Sequence, residues 1–247
     1  MWLFGLSRLM ILLRPVIGEK DGEISACQLQ DLSMGAACRN EKNIDFEFRH
    51  IEPDNRPDWF LAISPHKKVP VLRVDDSVSL FESNAIAEYL DETVAPRLHP
   101  NDPVDRALNR AWTDYVPTFA ETVTAAAYAD TEADYSKAVE KIPVPFERLE
   151  RALKKQSNGP FFNGEQYSLV DPAYAPFLQR YFFLDRIKRI GHIEKFPRLK
   201  GWAETLIKRP STHSFPPDEF EIMYRQNVKR RNKWISQFVE SAQIAAE

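Results

Sequence analysis

The first hundred residues carry short apolar runs with the period of β-strands. Apolar and polar residues alternate over residues 44–48, which predicts a strand with one buried face. Residues 69–74 are apolar and rich in β-branched side chains, and residues 79–81 form a second apolar run after a turn of aspartate and serine. The pattern therefore predicts two strands joined by a turn within residues 69–81.

Helical periodicity replaces the strand pattern after that second run. Ile86, Tyr89 and Leu90 recur at the spacing of one helix face, in a segment that opens at Ser83. Residues 91–103 are rich in proline and aspartate, and they predict a linker between two domains. The rest of the chain shows apolar stripes at helical spacing, so we expect an all-helical second domain.

Two sequence features predict where helices of that domain break or begin. A stripe over residues 135–156 predicts one helix, which Pro143 and Pro145 bend or split. Ser168, with Asp171 three residues later, is a capping box that opens an apolar helix. Such a box stabilises the fold and takes no part in chemistry.

Composition excludes several classes of function. The net charge of −3 gives no reason to expect nucleic acid or an anionic membrane as a partner. The chain has two cysteines, Cys27 and Cys38, so it has no disulfide framework of the secreted kind. Its five histidines are scattered without a histidine or cysteine neighbour at the spacing of metal ligands, so we predict no metal site.

Residues 1–24 read as an atypical leader. Arg8 and Arg14 interrupt their apolar runs, which are shorter than the roughly 20 residues that a transmembrane helix needs. Their order of basic and apolar residues is not that of a signal peptide. We therefore expect a poorly ordered leader or a wrongly set start here, and no membrane segment.

Two features of residues 69–83 could bind a small molecule. A helix start offers free N–H groups to a carboxylate, Ser83 adds a hydroxyl, and Glu82 adds an acceptor for an ammonium group. These groups fit the two charged ends of an α-amino acid. A cis bond before Pro70 would turn the backbone N–H and C=O of Val69 outward, ready to pair with an extended peptide. The same residues also fit a plain hairpin that leads into an N-capped helix.

These residues resemble the glutathione site of the cytosolic glutathione transferases. The resemblance rests on Val69-Pro70-Val71-Leu72 and on Leu80-Phe81-Glu82-Ser83-Asn84-Ala85-Ile86. It implies that Val69, before a cis-proline, pairs with the cysteinyl part of glutathione and that Glu82 and Ser83 hold the γ-glutamyl end. It also implies the family's fold, with an α/β thioredoxin-like domain over residues 25–95 and an all-α domain over residues 104–240. A cytoplasmic homodimer is the further implication.

Within that family, the chain is most similar to the omega class and its bacterial relatives. The likeness rests on Pro57-Asp58-Trp59-Phe60 and on the extended C-terminal helix. Arg56 lies where the class has a lysine near the glycyl end of glutathione, and Lys68 completes the implied glutathione contacts. The implied residues of the acceptor pocket are Tyr115, Phe177 and Arg180.

The omega class also implies a chemistry and a nucleophile. Its members resemble thiol transferases, in which a cysteine forms a mixed disulfide with glutathione. That reaction needs a thiolate at the start of the first helix, where the helix end lowers the pKa of a thiol. Cys27 is the candidate nucleophile, and Cys38 is expected to be a small buried residue. Ser25 or Ser33 are alternatives, because other classes hold the thiolate of glutathione with a hydroxyl group.

Two functions follow from the resemblance. The first is an enzyme with glutathione as co-substrate, which conjugates it to, or exchanges thiols with, a small electrophile or disulfide between the two domains. This would be the activity of an omega-like thiol transferase or dehydroascorbate reductase. The second is a non-catalytic binding or scaffold protein with a degenerate first helix, because the residues before Glu41 do not follow the family's pattern.

Overall fold

The computed structural model describes residues 9–12, 41–42, 47–49, 51, 55–74, 78–155, 159–212 and 217–239. The chain divides into two units, residues 1–98 and residues 99–247. Each unit has its own buried apolar residues.

One mixed sheet organises the described part of the first unit. Its strands are β1 (Leu9–Leu12), β2 (Glu47–Arg49), β3 (Val71–Val74) and β4 (Val78–Phe81). Their spatial order is β2-β1-β3-β4, with β1 parallel to β2 and β3 antiparallel to both β1 and β4. Leu72 lies opposite Ile11 on one side and Leu80 on the other, and its side chain is fully buried. The strands predicted within residues 69–81 are therefore present and paired as a hairpin.

Strand β1 differs from our expectation for the start of the chain. We predicted residues 1–24 to be a leader, whereas residues 9–12 form an inner strand of the sheet. The apolar run between Arg8 and Arg14 is too short to span a membrane, but it has the length of an ordinary strand. An inner strand is hydrogen-bonded on both sides and needs no alternation of polar residues when both faces are covered.

Two helices of the first unit pack their apolar residues inward. Helix α1 (Asp58–Ile63) follows Pro57 and buries Phe60 in a cluster with Ile51 and Val71. Helix α2 (Ser83–Thr93) follows β4 directly, and its buried face contains Ile86, Ala87 and Leu90. Because β4 runs straight into α2, the sheet fixes the place where that helix begins.

The second unit is helical throughout its described residues. Its α-helices are α3 (Pro103–Thr124), α4 (Glu132–Lys141), α5 (Pro143–Lys155), α6 (Val170–Ile187), α7 (Pro197–Lys208) and α8 (Pro217–Arg231). Short 3₁₀ turns lie at Ala125–Tyr128, His192–Lys195, Pro210–Thr212 and Trp234–Phe238. The helix predicted over residues 135–156 is split at Ile142, because Pro143 cannot continue the hydrogen-bond ladder of α4.

Helix α6 is the buried centre of this unit, and Asp171 fixes its start. One carboxylate oxygen of Asp171 accepts hydrogen bonds from the Phe162 N–H at 2.8 Å and from the Trp202 indole N–H at 2.7 Å. The other accepts from the N–H and the hydroxyl of Ser168. Burial raises the pKa of Asp171 to about 6, while these hydrogen bonds act in the opposite direction. The predicted pairing of Ser168 with Asp171 is confirmed, with Trp202 and Phe162 as additional partners. It differs from a full capping box, because the Ser168 hydroxyl donates to Asp171 and the N–H of Asp171 donates to the C=O of Ser168.

Candidate functional site

The start of α2 is not capped by the side chain of the residue that precedes it. Glu82 precedes the helix, and its side chain makes no hydrogen bond to a backbone N–H of the first turn. That turn also carries no acidic residue. In α3, by contrast, the carboxylate of Asp102 accepts hydrogen bonds from the N–H groups of Val104 and Asp105. The N–H groups at the start of α2 can therefore bind an external anion.

The register of the β3–β4 hairpin brings the predicted binding residues to one edge of the sheet. Val71, the first residue of β3, pairs with Phe81, the last residue of β4. The segment before β3 and the segment after β4 must therefore lie side by side. The residues that this register brings to one edge are Val69, Pro70, Glu82 and Ser83.

The backbone at Val69 is open to a ligand. The Val69–Pro70 peptide bond is cis, as the family resemblance implied. Pro70 is buried and Val69 is half-buried. We find no hydrogen bond between the N–H or C=O of Val69 and another residue that the structure describes. Both groups can thus pair with the main chain of an extended peptide.

A hydrogen-bonded loop leads into Val69. The buried hydroxyl of Ser64 donates to the C=O of Lys68 at 2.8 Å and accepts from its N–H at 3.0 Å. Arg56 donates from Nη1 to the C=O of Lys67 at 2.5 Å, and Lys67 has a positive φ of 54°. The side chain of Lys68 is exposed. Lys68 therefore lies on the same loop as Val69, while Arg56, from the segment before α1, is hydrogen-bonded to that loop.

A contact that the sequence analysis missed joins this loop to the start of α2. His66 Nδ1 lies 2.8 Å from Glu82 Oε1, and both side chains are more than half exposed. The His66 ring also meets the Phe81 ring edge-on, with 5.3 Å between the centroids. The position of His66, three residues before Val69, is the signal that could have marked it.

The opposite end of α2 is closed by a buried cation. Lys42 Nζ donates to the C=O groups of Val94 at 2.7 Å and Pro96 at 2.6 Å, and it lies 2.9 Å from the carboxylate of Asp91. The Lys42 and Asp91 side chains are almost fully buried. A cation at a helix C-terminus also complements the helix dipole. Helix α2 is thus anchored at its C-terminal end and open at its N-terminal end.

The predicted acceptor-pocket residues lie in two places within the second unit. Phe177 and Arg180 are both buried on α6, with the Arg180 guanidinium 5.2 Å from the Phe177 ring centre and 5.3 Å from that of Phe220. Tyr115 lies on α3, where its hydroxyl accepts a hydrogen bond from Arg148 at 3.0 Å. The structure therefore groups Phe177 with Arg180 and places Tyr115 beside Arg148.

Tyr115 lines a surface cavity of about 860 Å³ between α3, α5 and the segment before α6. Trp112 and Phe162 form aromatic parts of its wall. Arg151 and Lys155 add positive charge along α5. This cavity has the size of a small-molecule site.

The candidate nucleophile Cys27 lies outside the described residues, as do its alternatives Ser25 and Ser33 and the second cysteine, Cys38. Among the side chains that the structure describes, no three His, Cys, Asp or Glu residues are grouped in a way that could hold a metal ion. The described helices include none with the length and apolar character that a membrane span requires.

The fold and the open edge at Val69 and Ser83 define the class of protein. A mixed four-stranded sheet with a cis-proline, followed by an all-helical unit, is the predicted thioredoxin-like and helical pair of domains. Comparison with family models agrees: residues 35–98 match the glutathione S-transferase N-terminal domain, and residues 104–210 match the glutathione S-transferase C-terminal domain. The chain belongs to the glutathione S-transferase family.

Individual relatives support that assignment. The chain is 33% identical over 193 residues to glutathione S-transferase L1 of Arabidopsis thaliana, covering 75% of this chain and 78% of the relative. It is 29% identical over 194 residues to glutathione S-transferase omega-1 of Sus scrofa, covering 76% and 79%. The solved structure of rice GST1 in complex with glutathione shares the fold, with a TM-score of 0.73 and 24% identity over 92% of this chain and 98% of that one.

Proposed function

We propose that this protein binds glutathione at the edge formed by Val69 and the start of α2, and that it is an active glutathione transferase. The observation that carries the proposal is the uncapped start of α2, with the Glu82 carboxylate beside it. The rice structure was solved in complex with glutathione, which supports the same ligand for this fold.

Each part of glutathione has a partner of suitable chemistry at this edge. The γ-glutamyl carboxylate binds the free N–H groups of α2 and the Ser83 hydroxyl, while its ammonium group binds the Glu82 carboxylate. The cysteinyl main chain pairs with the N–H and C=O of Val69, in the manner of an added strand. The glycyl carboxylate is placed near the cations of Arg56 and Lys68.

We further propose an omega-like thiol transfer with Cys27 as nucleophile. The Cys27 thiolate attacks the glutathionyl sulfur of a disulfide, forming a Cys27–glutathione disulfide, and the released thiolate takes up a proton. A second glutathione thiolate then attacks that mixed disulfide, which releases oxidised glutathione and regenerates the Cys27 thiolate. Tyr115, Phe177 and Arg180 are the proposed contacts for the acceptor, which is a small electrophile or a disulfide.

A second candidate is a glutathione-binding protein without catalysis. The family model for the N-terminal domain matches only from residue 35, so the match does not include Cys27. This observation favours a chain that keeps the glutathione site while the residues before 35 depart from the family's pattern.

Retention on glutathione resin tests binding, with Ser83→Ala as the site variant. Thr93→Ala is the matched control, because it removes a hydroxyl from the other end of the same helix. We expect wild type and Thr93→Ala to be retained and Ser83→Ala to elute early. Equal retention of all three proteins would overturn the proposed site.

Thiol-transfer kinetics then separate the two candidate functions. We expect Cys27→Ala to abolish reduction of a protein–glutathione disulfide and Cys38→Ala to leave it largely intact. Activity that survives in Cys27→Ala removes Cys27 from the mechanism. Resin binding by the wild type with no turnover of disulfides or electrophiles would favour the non-catalytic function.

We also propose that the protein is a cytoplasmic homodimer, on the strength of the family resemblance. Sedimentation equilibrium should give a mass of twice the 28.6 kDa chain. A monomer at micromolar concentration would contradict the proposed assembly without affecting the glutathione site.

A further inference from the structure

The contact between His66 and Glu82 has no part in the function proposed so far. It joins the loop before Val69 to the residue before α2, so it links the two halves of the proposed glutathione site. Both backbones are constrained near this contact. Lys67 and Glu82 are two of the three non-glycine residues with positive φ in the described chain, with values of 54° and 69°. Positive φ in such residues is uncommon and concentrates at functional sites.

Stability does not account for the contact. The side chains of His66 and Glu82 are 54% and 61% exposed, and exposed pairs of this kind contribute little to folding. The loop is already held by Ser64 and Arg56, through their hydrogen bonds to Lys68 and Lys67. The imidazole therefore stands on a fixed loop, its ring against Phe81, with its Nδ1 directed at a carboxylate that faces solvent.

We propose that His66 is a positioning residue that orients the Glu82 carboxylate for the α-amino group of the ligand. The proposal rests on the function proposed above. An imidazole N–H donates to Oε1 of Glu82 and leaves Oε2 free to accept from the ammonium group. Holding the carboxylate in one rotamer before binding removes part of the ordering cost that a free glutamate side chain would bear.

Calorimetric titration with S-methylglutathione tests this role, because that probe keeps the amino-acid end and has no free thiol. We expect His66→Ala to weaken binding about fivefold. In His66→Gln the amide N–H can still reach Glu82, and we expect affinity to return to within about twofold of wild type. Val78→Ala, an exposed change at the far end of β4, is the control and should bind as wild type does.

Two further arms show whether His66 acts through Glu82. The analogue of the probe in which a glutaryl group replaces γ-glutamyl lacks the α-amino group, and its affinity should be the same for wild type and His66→Ala. In a Glu82→Gln background, His66→Ala should cause little additional loss. Equal losses for both probes, or full additivity with Glu82→Gln, would overturn the positioning role.

The outcomes also separate this inference from the function on which it rests. If the wild type does not bind S-methylglutathione, the proposed function fails. If the wild type binds and His66→Ala binds equally well, the glutathione site stands and only the role of His66 is refuted.

Discussion

Helices α6 and α2 both start beside a carboxylate and a serine hydroxyl, yet the two carboxylates are used in opposite ways. Asp171 in α6 is fully buried, and Phe162, Ser168 and Trp202 donate to its two oxygens. Glu82 before α2 is mostly exposed, and its carboxylate is hydrogen-bonded to the ring of His66. The Asp171 carboxylate is fully hydrogen-bonded within the protein. The Glu82 carboxylate faces solvent, where it can bind a ligand.

The comparison shows how one kind of sequence signal can lead to structure or to function. A serine and an acidic residue at a helix start stabilise the helix when the carboxylate oxygens accept hydrogen bonds from the protein itself. When the first turn stays uncapped and the acid faces solvent, the same groups form a site for an amino-acid ligand. Unfolding free energies should therefore respond strongly at α6 and weakly at the start of α2.

The largest effect is expected for Asp171→Ala. It leaves three N–H donors buried around α6, so the unfolding free energy should fall by about 4 kcal/mol. Urea denaturation followed by tryptophan fluorescence measures the change. Asp114→Ala, an exposed change on α3, is the control and should stay within about 0.5 kcal/mol of wild type. A loss below about 1 kcal/mol at Asp171 would contradict its role at the start of α6.

The next largest change in unfolding free energy is expected at the C-terminal end of α2, where Lys42 is buried. Lys42→Met removes the ammonium group from a buried carboxylate and two carbonyls, which should cost about 3 kcal/mol of unfolding free energy. Combining it with Asp91→Asn removes the buried charge and should recover part of the loss. A double variant that is less stable than Lys42→Met alone would show that charge burial is not the cause.

Lowering the pH should increase the contribution of Asp171 to the unfolding free energy by about 1 kcal/mol. Because the pKa of Asp171 is raised to about 6, the folded chain binds a proton more tightly than the unfolded chain between about pH 4 and pH 6. The stability contribution of this group therefore grows as pH falls through 6. From pH 7 to pH 5, the unfolding free energy of wild type relative to Asp171→Asn should rise by about 1 kcal/mol. A difference that stays flat or falls contradicts the raised pKa.

The smallest change in stability is expected at the open start of α2. Glu82→Gln should alter the unfolding free energy by less than about 0.5 kcal/mol, because the side chain is exposed. Its affinity for S-methylglutathione should nonetheless fall about tenfold, through loss of a charge-assisted hydrogen bond to the ammonium group. Calorimetry and urea denaturation of the same preparation check both values. A large loss of stability with unchanged affinity would show that Glu82 stabilises the fold and does not bind the ligand.

Some of this architecture could be read from the sequence, and the reason is locality. The hairpin, the start of α2 at Ser83 and the pairing of Ser168 with Asp171 depend on residues close together in the chain. The break between α4 and α5 was equally visible, because proline acts on its own helix.

Contacts between distant residues could not be read in this way. Strand β1 could not be predicted because it forms by pairing with β3, which lies some 60 residues later in the chain. The bonds from Lys42 to residues near the end of α2 and from His66 to Glu82 likewise depend on how loops meet after folding. The proposed catalytic role of Cys27 stays a prediction.

The position of glutathione in a crystal of the complex tests the central claim most directly. The account predicts the γ-glutamyl carboxylate within hydrogen-bond distance of the N–H groups at the start of α2 and the Ser83 hydroxyl. It also predicts the ammonium group on Glu82 and the cysteinyl main chain paired with Val69. Glutathione bound elsewhere, with the start of α2 contacting only water, would contradict it.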